Sequence, residues 1–427
     1  MDKFDVIVIG GGLSGVAASL AAAREGLKVL LIDKGNCLGG AAAANLVNPF
    51  MPYWTHEAGG GGRKRLYLSA GIFRDILERL SAAGALGENE MTFDEEYLKL
   101  LLNRMTAEAG VKLLFHSYLA GADRFTGSDG TGVKCVAVAN KSGSVKLYAD
   151  YFVDATGDAD LAAICGFPFR LGREPDGLCQ PMTLCFRLAN VDMKAFEASR
   201  AKIDPLYKEM QAQGKIKNIR EDVLIFNTLS EGILHFNSTR IVRKNPVDAF
   251  DVTAAEIEAR EQVFELHGFL KDRIDGFQKS RLIMTAPQIG VRESRMIDGE
   301  YVLTGEDLMN CVRFEDSIAA GNYDIDIHNP EGSGTSHYYF PEGKYYTIPY
   351  RCLVPKKSKN VLVAGRSVSA THEAQASIRI MPIVCCLGEA AGTAVAVAHK
   401  NGAGVNAMDG AMVKEIQGVL RANGAFI

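Results

Sequence analysis

A glycine-rich turn between a short apolar strand and a helix constrains the fold of this chain more than any other feature. Residues 4–9 read FDVIVI, residues 13–25 form an alanine-rich helical stretch, and the apolar run 28–32 ends at Asp33. Between the first strand and the helix, three glycines have the G-x-G-x-x-G spacing, namely Gly10, Gly12 and Gly15. This β-α-β order predicts parallel strands joined by a right-handed crossover.

Each glycine of this turn has a mechanical reason in a dinucleotide-binding fold. Gly10 permits the tight turn, Gly12 lets backbone amides approach a pyrophosphate, and Gly15 allows close packing of helix on strand. Leu13 and Ser14 open the helix, whose positive end attracts the phosphates. The turn therefore predicts a bound dinucleotide cofactor.

The acid at the end of the second strand specifies the nucleotide further. Asp33 lies 18 residues beyond Gly15, where a carboxylate accepts hydrogen bonds from the ribose hydroxyls of an adenosine. The same negative charge repels a 2′-phosphate and disfavours NADP. These features do not by themselves separate FAD from NAD.

Four further segments make that separation. They read LGGAAAAN over residues 38–45, DATGDADLA over 154–162, TAPQIGVRESRMIDGEYVLT over 285–304, and VLVAGRSVSATHEAQASIRIMP over 361–382. Together with the glycine turn they resemble the FAD-dependent oxidoreductases of the glutathione reductase/fumarate reductase fold superfamily. The chain is most similar to the FAD-dependent oxidoreductase family related to the flavin module of heterodisulfide reductase, over nearly its whole length.

The resemblance implies noncovalently bound FAD. The residues that it places at the cofactor are Gly10, Gly12, Leu13, Ser14, Gly15, Asp33, Lys34, Gly39, Gly40, Ala41, Thr156, Gly157, Asp158, Gly365, Arg366, Ile380 and Met381. Asp158 has a second interpretation, as the cap of the helix that follows it. Gly365 brings the backbone close to the cofactor, and Pro382 suits the first turn of the last long helix.

Three residues are candidates for the reacting site. His372 is expected in a loop beside the flavin as a proton carrier, with a purely structural loop histidine as the alternative. Arg292 and Arg295 flank Glu293, so they either clamp a substrate carboxylate together or form an internal salt bridge to that glutamate. Arg379 either contacts flavin or substrate or pairs with a carboxylate of the fold.

An aromatic-rich segment is the other candidate lining for a pocket. Its polar-tipped side chains are those of His328, His337, Tyr338, Tyr339, Tyr345, Tyr346 and Tyr350. Core and interface packing is the competing interpretation for most of them. Arg351 would add a cation to the same pocket.

The chain is long enough for two domains. The predicted fold class is α/β, with a doubly wound Rossmann-like FAD/NAD(P)-binding domain and a second α+β substrate domain. The FAD-binding domain is discontinuous, over residues 1–175 and 350–427, and residues 176–349 form the substrate, or cap, domain. A small-molecule substrate is expected between the two.

Composition excludes several classes of partner. Of 427 residues 47% are hydrophobic, and the net charge is −4, which gives no attraction for nucleic acid or anionic membrane. Residues 380–398 are apolar but interrupted by Glu389, which indicates a buried helix. Nine scattered cysteines lack metal-ligand or disulfide spacing, so reduced, mostly buried thiols and no metal are expected. We expect a cytoplasmic protein, and a mobile surface loop at residues 59–65.

The predicted function is transfer of a hydride or electrons between FAD and a small organic substrate. A second hypothesis is an electron-transfer subunit that works with a partner redox protein, and a third is a non-catalytic nucleotide-binding scaffold. The chain has no second G-x-G-x-x-G fingerprint and no iron-sulfur cysteine spacing. Neither a built-in NAD(P)H domain nor a resident cluster is therefore expected, and the oligomeric state stays open.

Overall fold

The computed structural model describes residues 3–57, 64–128, 130–174 and 176–427. The glycine run at residues 59–62 of the predicted mobile loop lies outside these residues. The described strands are β1 Phe4–Ile9, β2 Val29–Ile32, β3 Trp54–His56, β4 Arg65–Tyr67, β5 Lys112–Leu114, β6 Tyr118–Gly127, β7 Gly130–Asn140, β8 Gly143–Asp154, β9 Phe169–Leu171, β10 Phe186–Ala189, β11 Ile225–Asn227, β12 Leu234–Phe236, β13 Arg281–Thr285, β14 Arg295–Ile297, β15 Ser317–Gly321, β16 Ile325–His328, β17 Thr335–Tyr338, β18 Tyr346–Pro349 and β19 Val361–Val363.

The described helices are α1 Leu13–Arg24, α2 Ile72–Ala82, α3 Glu95–Glu108, α4 Asp160–Ile164, α5 Met193–Ser199, α6 Ile203–Ala212, α7 Ala249–Arg273, α8 Gly305–Met309, α9 His372–Ile378, α10 Met381–Asn401 and α11 Gly410–Ala422. Short 3-10 turns occur at Gly40–Ala42, Arg200–Lys202, Tyr350–Leu353 and Val405–Ala407.

The central sheet has the strand order β5-β2-β1-β8-β7-β6, and β19 pairs with β8 outside this path. β1 is parallel to β2, with Val6 opposite Val29, and parallel to β8, with Val6 opposite Tyr151. The predicted β-α-β unit is therefore confirmed. Both neighbours of β1 run parallel to it, which brings the glycine turn to the carboxyl edge of the sheet.

One strand joins the parallel sheet to an antiparallel meander. The first half of β8 pairs antiparallel with β7, and its second half, from Ala149 to Asp154, pairs parallel with β1. β19 pairs with β8 at Phe152, Val153 and Asp154. The last strand of the meander and the buried strand that ends at Asp154 are therefore one continuous strand.

Side chains of the parallel strands alternate between two apolar cores, as the two-residue repeat of a strand requires. The face packed under α1, α2, α3 and α10 includes Val6, Val8, Leu31 and Val153. The opposite face includes Ile7, Ile9, Ile32 and Phe152 and is covered by the meander and α4. The predicted α/β, Rossmann-type fold is confirmed, with the meander as the main cover of its second face.

A third core supports a separate four-stranded antiparallel sheet with the order β11-β12-β10-β13. The long helix packed on this sheet is α7, which begins after the N-cap Asp248. This core takes its buried residues from Leu46 and from 182–289, whereas buried residues between Leu303 and Ile348 belong to the first core. The predicted domain boundary at 349 stays a prediction, but the cores divide the chain nearer residue 290.

The last long helix, α10, crosses α1 at very short range. A Cβ built on Gly388 would lie 2.0 Å from the carbonyl oxygen of Ser14, and one on Gly392 would lie 2.1 Å from that of Ala18. α10 is long and apolar enough to cross a membrane, yet every residue of its most apolar window is buried in the protein. The prediction of a buried core helix is confirmed.

The cysteines also follow the sequence prediction. All nine are unpaired; seven are buried, and Cys37 and Cys311 are partly exposed. Cys385 and Cys386 lie inside α10, where burial raises the pKa of both thiols, that of Cys386 to about 12. They are core residues rather than a reactive pair.

Candidate active site

The glycine turn at the end of β1 has a backbone that only glycine can adopt. Gly10 has a φ of +104°, and a Cβ there would lie 2.2 Å from the carbonyl oxygen of Ala155. A Cβ on Gly15 would lie 1.8 Å from the carbonyl oxygen of Gly10. Packing within the protein therefore explains these two glycines, as their places in the motif predict.

Gly12 is different, because the protein itself leaves room for a side chain there. A Cβ built on Gly12 would have only the Gly40 Cα within 4 Å, at 3.8 Å. Gly12 is the N-cap of α1, without a side-chain cap, and the buried Ser14 Oγ has no protein partner among the described residues. A helix N-terminus with open space and an unpaired hydroxyl is a cradle that fits a pyrophosphate.

Asp33 is held beside this cradle by backbone amides. Its Oδ2 accepts a hydrogen bond from Gly11 N at 2.5 Å, and its Oδ1 accepts one from Gly35 N at 2.6 Å. Each carboxylate oxygen keeps further acceptor capacity. The geometry suits the hydroxyls of a ribose.

The turn after β8 corrects the predicted role of Asp158. The first amides of α4 are bound by two side chains from the end of β8 and the turn after it: Asp154 accepts a hydrogen bond from Ala162 N, and the Thr156 hydroxyl accepts one from Asp160 N. Asp158 instead pairs with Arg366 at 2.6 Å and accepts from the Ser294 hydroxyl at 2.7 Å. The capping interpretation is wrong because Ala159, in left-handed backbone, separates Asp158 from the helix.

Electrostatics agree with that pairing. Burial by itself would raise the pKa of Asp158, but Arg366, Ser294 and Lys34 outweigh it and bring the pKa below its ordinary value. Gly157 has a φ of +83°, and a Cβ there would lie 2.6 Å from the Arg366 guanidinium. The ion pair ties the turn after β8 to the turn after β19.

The turn after β19 and the start of α10 close the same region. Gly365 has a φ of +100°, and a Cβ on it would lie 3.6 Å from the Ser14 side chain. Ile380 is the N-cap of α10 and makes no side-chain cap bond, and Pro382 lies in the first turn, as predicted. The unpaired amides at this N-terminus are available to a negatively charged group.

His372 lies in a helix rather than in the predicted loop. It is the first residue of α9, after the N-cap Thr371. Its Nδ1 lies 2.7 Å from Oε1 of Glu293, and both side chains are buried. Because the partner is a carboxylate, we assign the proton to Nδ1, which leaves Nε2 as the atom that can exchange a proton with a ligand.

Arg292 and Arg295 do not act as a pair. Arg295, in β14, donates to the carbonyl oxygen of Asp158 and to Asp160 Oδ1. Arg292 donates from Nη1 to Pro181 O at 2.7 Å and to Thr183 Oγ1 at 2.6 Å. The joint clamp is wrong because each of the two guanidinium groups is held by a separate set of partners. The salt bridge to Glu293 is also wrong, because that carboxylate binds His372.

Arg379 lies between Gln180 and Asp326. Its Nη2 is 3.3 Å from the carbonyl oxygen and 3.5 Å from Oδ2 of Asp326, and its buried Nε has no partner among the described residues. The pKa of Asp326 is below its ordinary value, since His328, Arg379 and Arg292 outweigh the effect of burial. Burial and Arg292 lower the pKa of His328 to about 3, so this imidazole is neutral at pH 7.

One glutamine connects these groups, and sequence reasoning missed it. Gln180 N donates to Glu293 Oε2 at 2.8 Å, and its side-chain amide lies 3.2 Å from Gln375 Oε1. Its Oε1 faces His328 N at 3.3 Å and Arg379 Nη2 at 3.5 Å. The His372 pair and the Arg379 region are thus one hydrogen-bonded network. No spacing in the sequence indicates it, because its members are up to about 200 residues apart.

The aromatic-rich segment does not converge on this network. Tyr346 and Tyr350 are buried in the first core, whereas Tyr338 and Tyr339 are exposed. Arg351 forms a surface ion pair with Asp316. His328 of that group belongs to the network, and the exposed His337 lies at its edge, with Nδ1 3.9 Å from Asp326 Oδ1. Packing explains the two buried tyrosines.

A possible metal-ligand group lies elsewhere. Among the described residues, Asp5, Asp150 and His399 bring potential ligand atoms within 4.8 Å of one another near the surface. Exposed acidic groups of this kind are common without a metal. The expectation of no metal cofactor stays a prediction.

Comparison with known proteins assigns the class. The profile of the FAD dependent oxidoreductase family matches residues 5–420, so the chain belongs to this family. FAD is its cofactor, and it is an FAD-dependent oxidoreductase.

Individual relatives are distant. Protein FixC of Rhizobium meliloti (strain 1021) is 40% identical over 63 residues, which are 13% of this chain and 14% of that protein. The tRNA uridine 5-carboxymethylaminomethyl modification enzyme MnmG of a Nitratiruptor species is 27% identical over 231 residues, 48% of this chain and 34% of that one. The chain thus spans about one seventh and one third of these two relatives.

Solved structures are similar at low identity. A geranylgeranyl bacteriochlorophyll reductase-like protein from Thermoplasma acidophilum is 12% identical with a TM-score of 0.45, covering 100% of this chain and 85% of that one. p-Nitrophenol 4-monooxygenase PnpA from Pseudomonas putida DLL-E4 is 10% identical with a TM-score of 0.48, covering 99% and 89%. These similarities do not bear on substrate or reaction.

Proposed function

We propose that this protein transfers a hydride or an electron pair between bound FAD and a small organic substrate, with His372 carrying a proton at the site. FAD, when bound, supplies the redox chemistry. The protein's own residues then have to bind the cofactor, orient the substrate and move a proton. The single observation that carries the proposal is the buried Glu293–His372 pair, at 2.7 Å, in the same fold as the proposed FAD cradle.

The proposed cradle uses backbone at four turns and at the start of α10, together with one acid. Gly12, Leu13 and Ser14 would hold the pyrophosphate. Gly39, Gly40 and Ala41 lie directly beside this turn, where Gly39 N donates to Gly11 O at 2.8 Å. Support comes from the open space at Gly12 and the unpaired Ser14 hydroxyl. Asp33 and Lys34 would lie at the adenosine, and Thr156, Gly157, Gly365 and Arg366 at the middle of the cofactor. Ile380 and Met381 would lie at the flavin end, where the first turn of α10 has no side-chain cap and where Met381 and Ile383, but not Pro382, carry an amide N–H.

The proposed role of His372 follows from its partner. A carboxylate bound to Nδ1 fixes the ring and its tautomer, and it stabilises the imidazolium that forms when Nε2 takes a proton. Glu293 is held in turn by the amide of Gln180. We therefore assign Glu293 as the positioning residue of His372, while Arg292 and Arg379 face the substrate.

An electron-transfer subunit that passes electrons to a partner redox protein is the second candidate. The resemblance of the sequence to the flavin module of heterodisulfide reductase favours it, and that finer relationship stays a proposal. The buried position of His372 and its network favours the first candidate, because electron transfer to a protein needs no enclosed proton carrier. A cytoplasmic location also stays a prediction.

Anaerobic reduction of the flavin by a metabolite panel tests the two candidates. The holoenzyme is mixed with each compound without oxygen, and bleaching of flavin absorbance is followed; air and artificial acceptors are then used for reoxidation. Bleaching of the flavin by a small organic compound supports the first candidate. So does the reverse reaction, in which prereduced enzyme reduces the oxidised form of such a compound. Reduction or oxidation by redox proteins alone supports the second.

A further inference from the structure

Four arginines lie in or near this network, and three of them have a carboxylate partner. Arg187 pairs with Glu95, Arg220 with Asp222, and Arg379 lies beside Asp326. Arg292 forms no ion pair within the described chain. All its recorded partners are neutral oxygens, those of Pro181, Thr183 and Asn237.

This arrangement leaves a positive charge in the interior. Burial, followed by the charges of Arg379 and Arg220, lowers the pKa of Arg292 to about 9. The acid that acts on it, Asp326, already contacts both Arg379 and His328. A partly buried cation without a counter-charge is unfavourable, and a bound anion offsets that cost.

The donors that remain on these arginines define the shape of the anion. Nη1 of Arg292 uses both of its hydrogens on Pro181 and Thr183, whereas no acceptor in the described chain contacts Nε. Arg292 keeps partial solvent access, and the buried Nε of Arg379 is also unpaired. The side edge of a guanidinium matches a carboxylate with two parallel hydrogen bonds.

We propose that Arg292 and Arg379 bind the carboxylate of a small organic acid, and that this acid is the substrate on which the His372 site acts. The last clause rests on the proposed function, while binding of the carboxylate does not. One uncompensated positive charge matches a monoanionic carboxylate, whereas Asp326 disfavours a phosphate dianion. Gln180 connects Arg379 with Glu293, so the bound acid lies at the edge of the proton-carrier network.

Binding of simple carboxylates to the holoenzyme tests this inference. Acetate, propionate and benzoate are titrated beside the isosteric acetamide, propionamide and benzamide and beside inorganic phosphate, with the flavin absorption spectrum and the Tm as readouts. We expect at least one acid to bind at least about tenfold more tightly than its amide and than phosphate. Equal affinity for acids and amides, or tighter binding of phosphate, overturns the proposal without any variant.

Variants assign the binding to its residues. Arg292→Lys, Arg292→Gln and Arg379→Gln should each weaken carboxylate binding at least about tenfold, in protein shown to be folded by its FAD content and Tm. Arg351→Gln, which removes an exposed guanidinium, is the control and should bind as the parent does. Unchanged carboxylate affinity in folded Arg292 variants overturns the proposal. If the reduction potential of the flavin changes in these variants while carboxylate affinity does not, Arg292 acts on the cofactor instead, and the proposal is overturned as well.

Failure of the inference and failure of the proposed function give different results. Carboxylate binding without flavin reduction by any compound supports the anion site and counts against the reaction. Turnover of a neutral substrate in protein that binds no carboxylate overturns the anion site and leaves the reaction standing.

Discussion

The cofactor cradle and the arginine network are built in opposite ways. The cradle is made of backbone: glycines at β-strand ends, helix N-termini and one acid held by amides, with Gly15 and Gly388 packed against carbonyl oxygens. The network is made of side chains that no short segment brings together, and its members depend on one another's charge. The two regions should therefore respond differently to mutation. Substitutions that add bulk should impair the cradle most, and substitutions that change charge should impair the network most.

The largest effect is expected where the backbone approach is closest. Gly388→Val places a branched side chain where even a Cβ would lie 2.0 Å from the Ser14 carbonyl, so α10 has to move away from α1. We expect a loss of at least about 3 kcal/mol of stability, and little folded protein. Yield and Tm measure it. Gly418→Ala is the control, because nothing lies within 4 Å of its Cβ; it should gain about 0.5–1 kcal/mol. A parent-like Tm for Gly388→Val would mean that the close crossing is not what holds the two helices.

Gly12→Val separates cofactor binding from folding. The apoprotein has room for the side chain, since only the Gly40 Cα lies within 4 Å of a Cβ, whereas a pyrophosphate needs that space. We expect folded protein with little FAD and a Tm that added FAD no longer raises; mass action gives the parent about 2.7 kcal/mol at a hundredfold excess of ligand over Kd. Released flavin absorbance and circular dichroism measure the two properties. Normal FAD occupancy would contradict the placement of the cradle.

Substitutions of His372 test the side-chain network and leave the residues of the cradle unchanged. His372→Ala should keep FAD and slow turnover of the eventual substrate about 10²–10⁴-fold. His372→Gln, which bonds but does not titrate, separates proton transfer from positioning. Glu293→Gln should keep substrate affinity but change the pH dependence of the rate, because the amide stabilises the imidazolium less. His399→Gln, at an exposed position, is the control. If both His372 variants turn over at the parent rate across neutral pH, this residue is structural.

The remaining effect concerns a titrating group inside the backbone-built region, and it appears only as a dependence of stability on pH. Burial raises the pKa of Glu389 to about 7 from 4.5, against the hydrogen bond from Ile72 N. Between these pH values the unfolded chain is ionised while the folded chain keeps its proton. The contribution to stability is therefore full below pH 4.5 and is lost as the pH rises to 7.

Glu389→Gln keeps an acceptor for Ile72 N and removes the titration. The free energy of unfolding of the parent minus that of the variant should fall by up to about 3 kcal/mol between these pH values. Denaturant unfolding at several pH values measures it, with the exposed Glu231→Gln as control. A pH-independent difference would show that Glu389 is ionised in the folded protein.

Sequence reasoning found what is local. The turn at Gly10 and Gly15, the strand that ends at Asp33 and the buried helix α10 each follow from a few neighbouring residues, because strand and helix periodicity and the steric needs of a turn are local. Asp158 was harder: its capping role depended on one left-handed residue, Ala159, that propensity does not reveal. Placing His372 in a loop failed for a similar reason, since Thr371 caps a short helix there.

The network could not be predicted because its contacts are long-range. Arg292 and Arg295 are three residues apart in the sequence. In the fold, however, Arg295 of β14 contacts Asp160, whereas Arg292 lies near Arg379. Gln180 has no distinctive neighbours in the sequence, and its importance comes from contacts with residues 293, 328, 375 and 379. The sequence indicated only that a substrate binds between two domains, which stays a prediction, and the partners of each side chain became visible only in the fold.

The place of β19 in the central sheet also determines how much of the chain must be synthesised before the sheet is complete. β1 and α1 leave the ribosome long before β19 and α10, which come from residues 361–401. Until those residues emerge, the face of α1 that later contacts Gly388 and Gly392 is not covered by α10, and the proposed cradle lacks its last two segments. We therefore expect a nascent chain that stops before α10 to bind FAD poorly, so that cofactor loading reports on synthesis through α10.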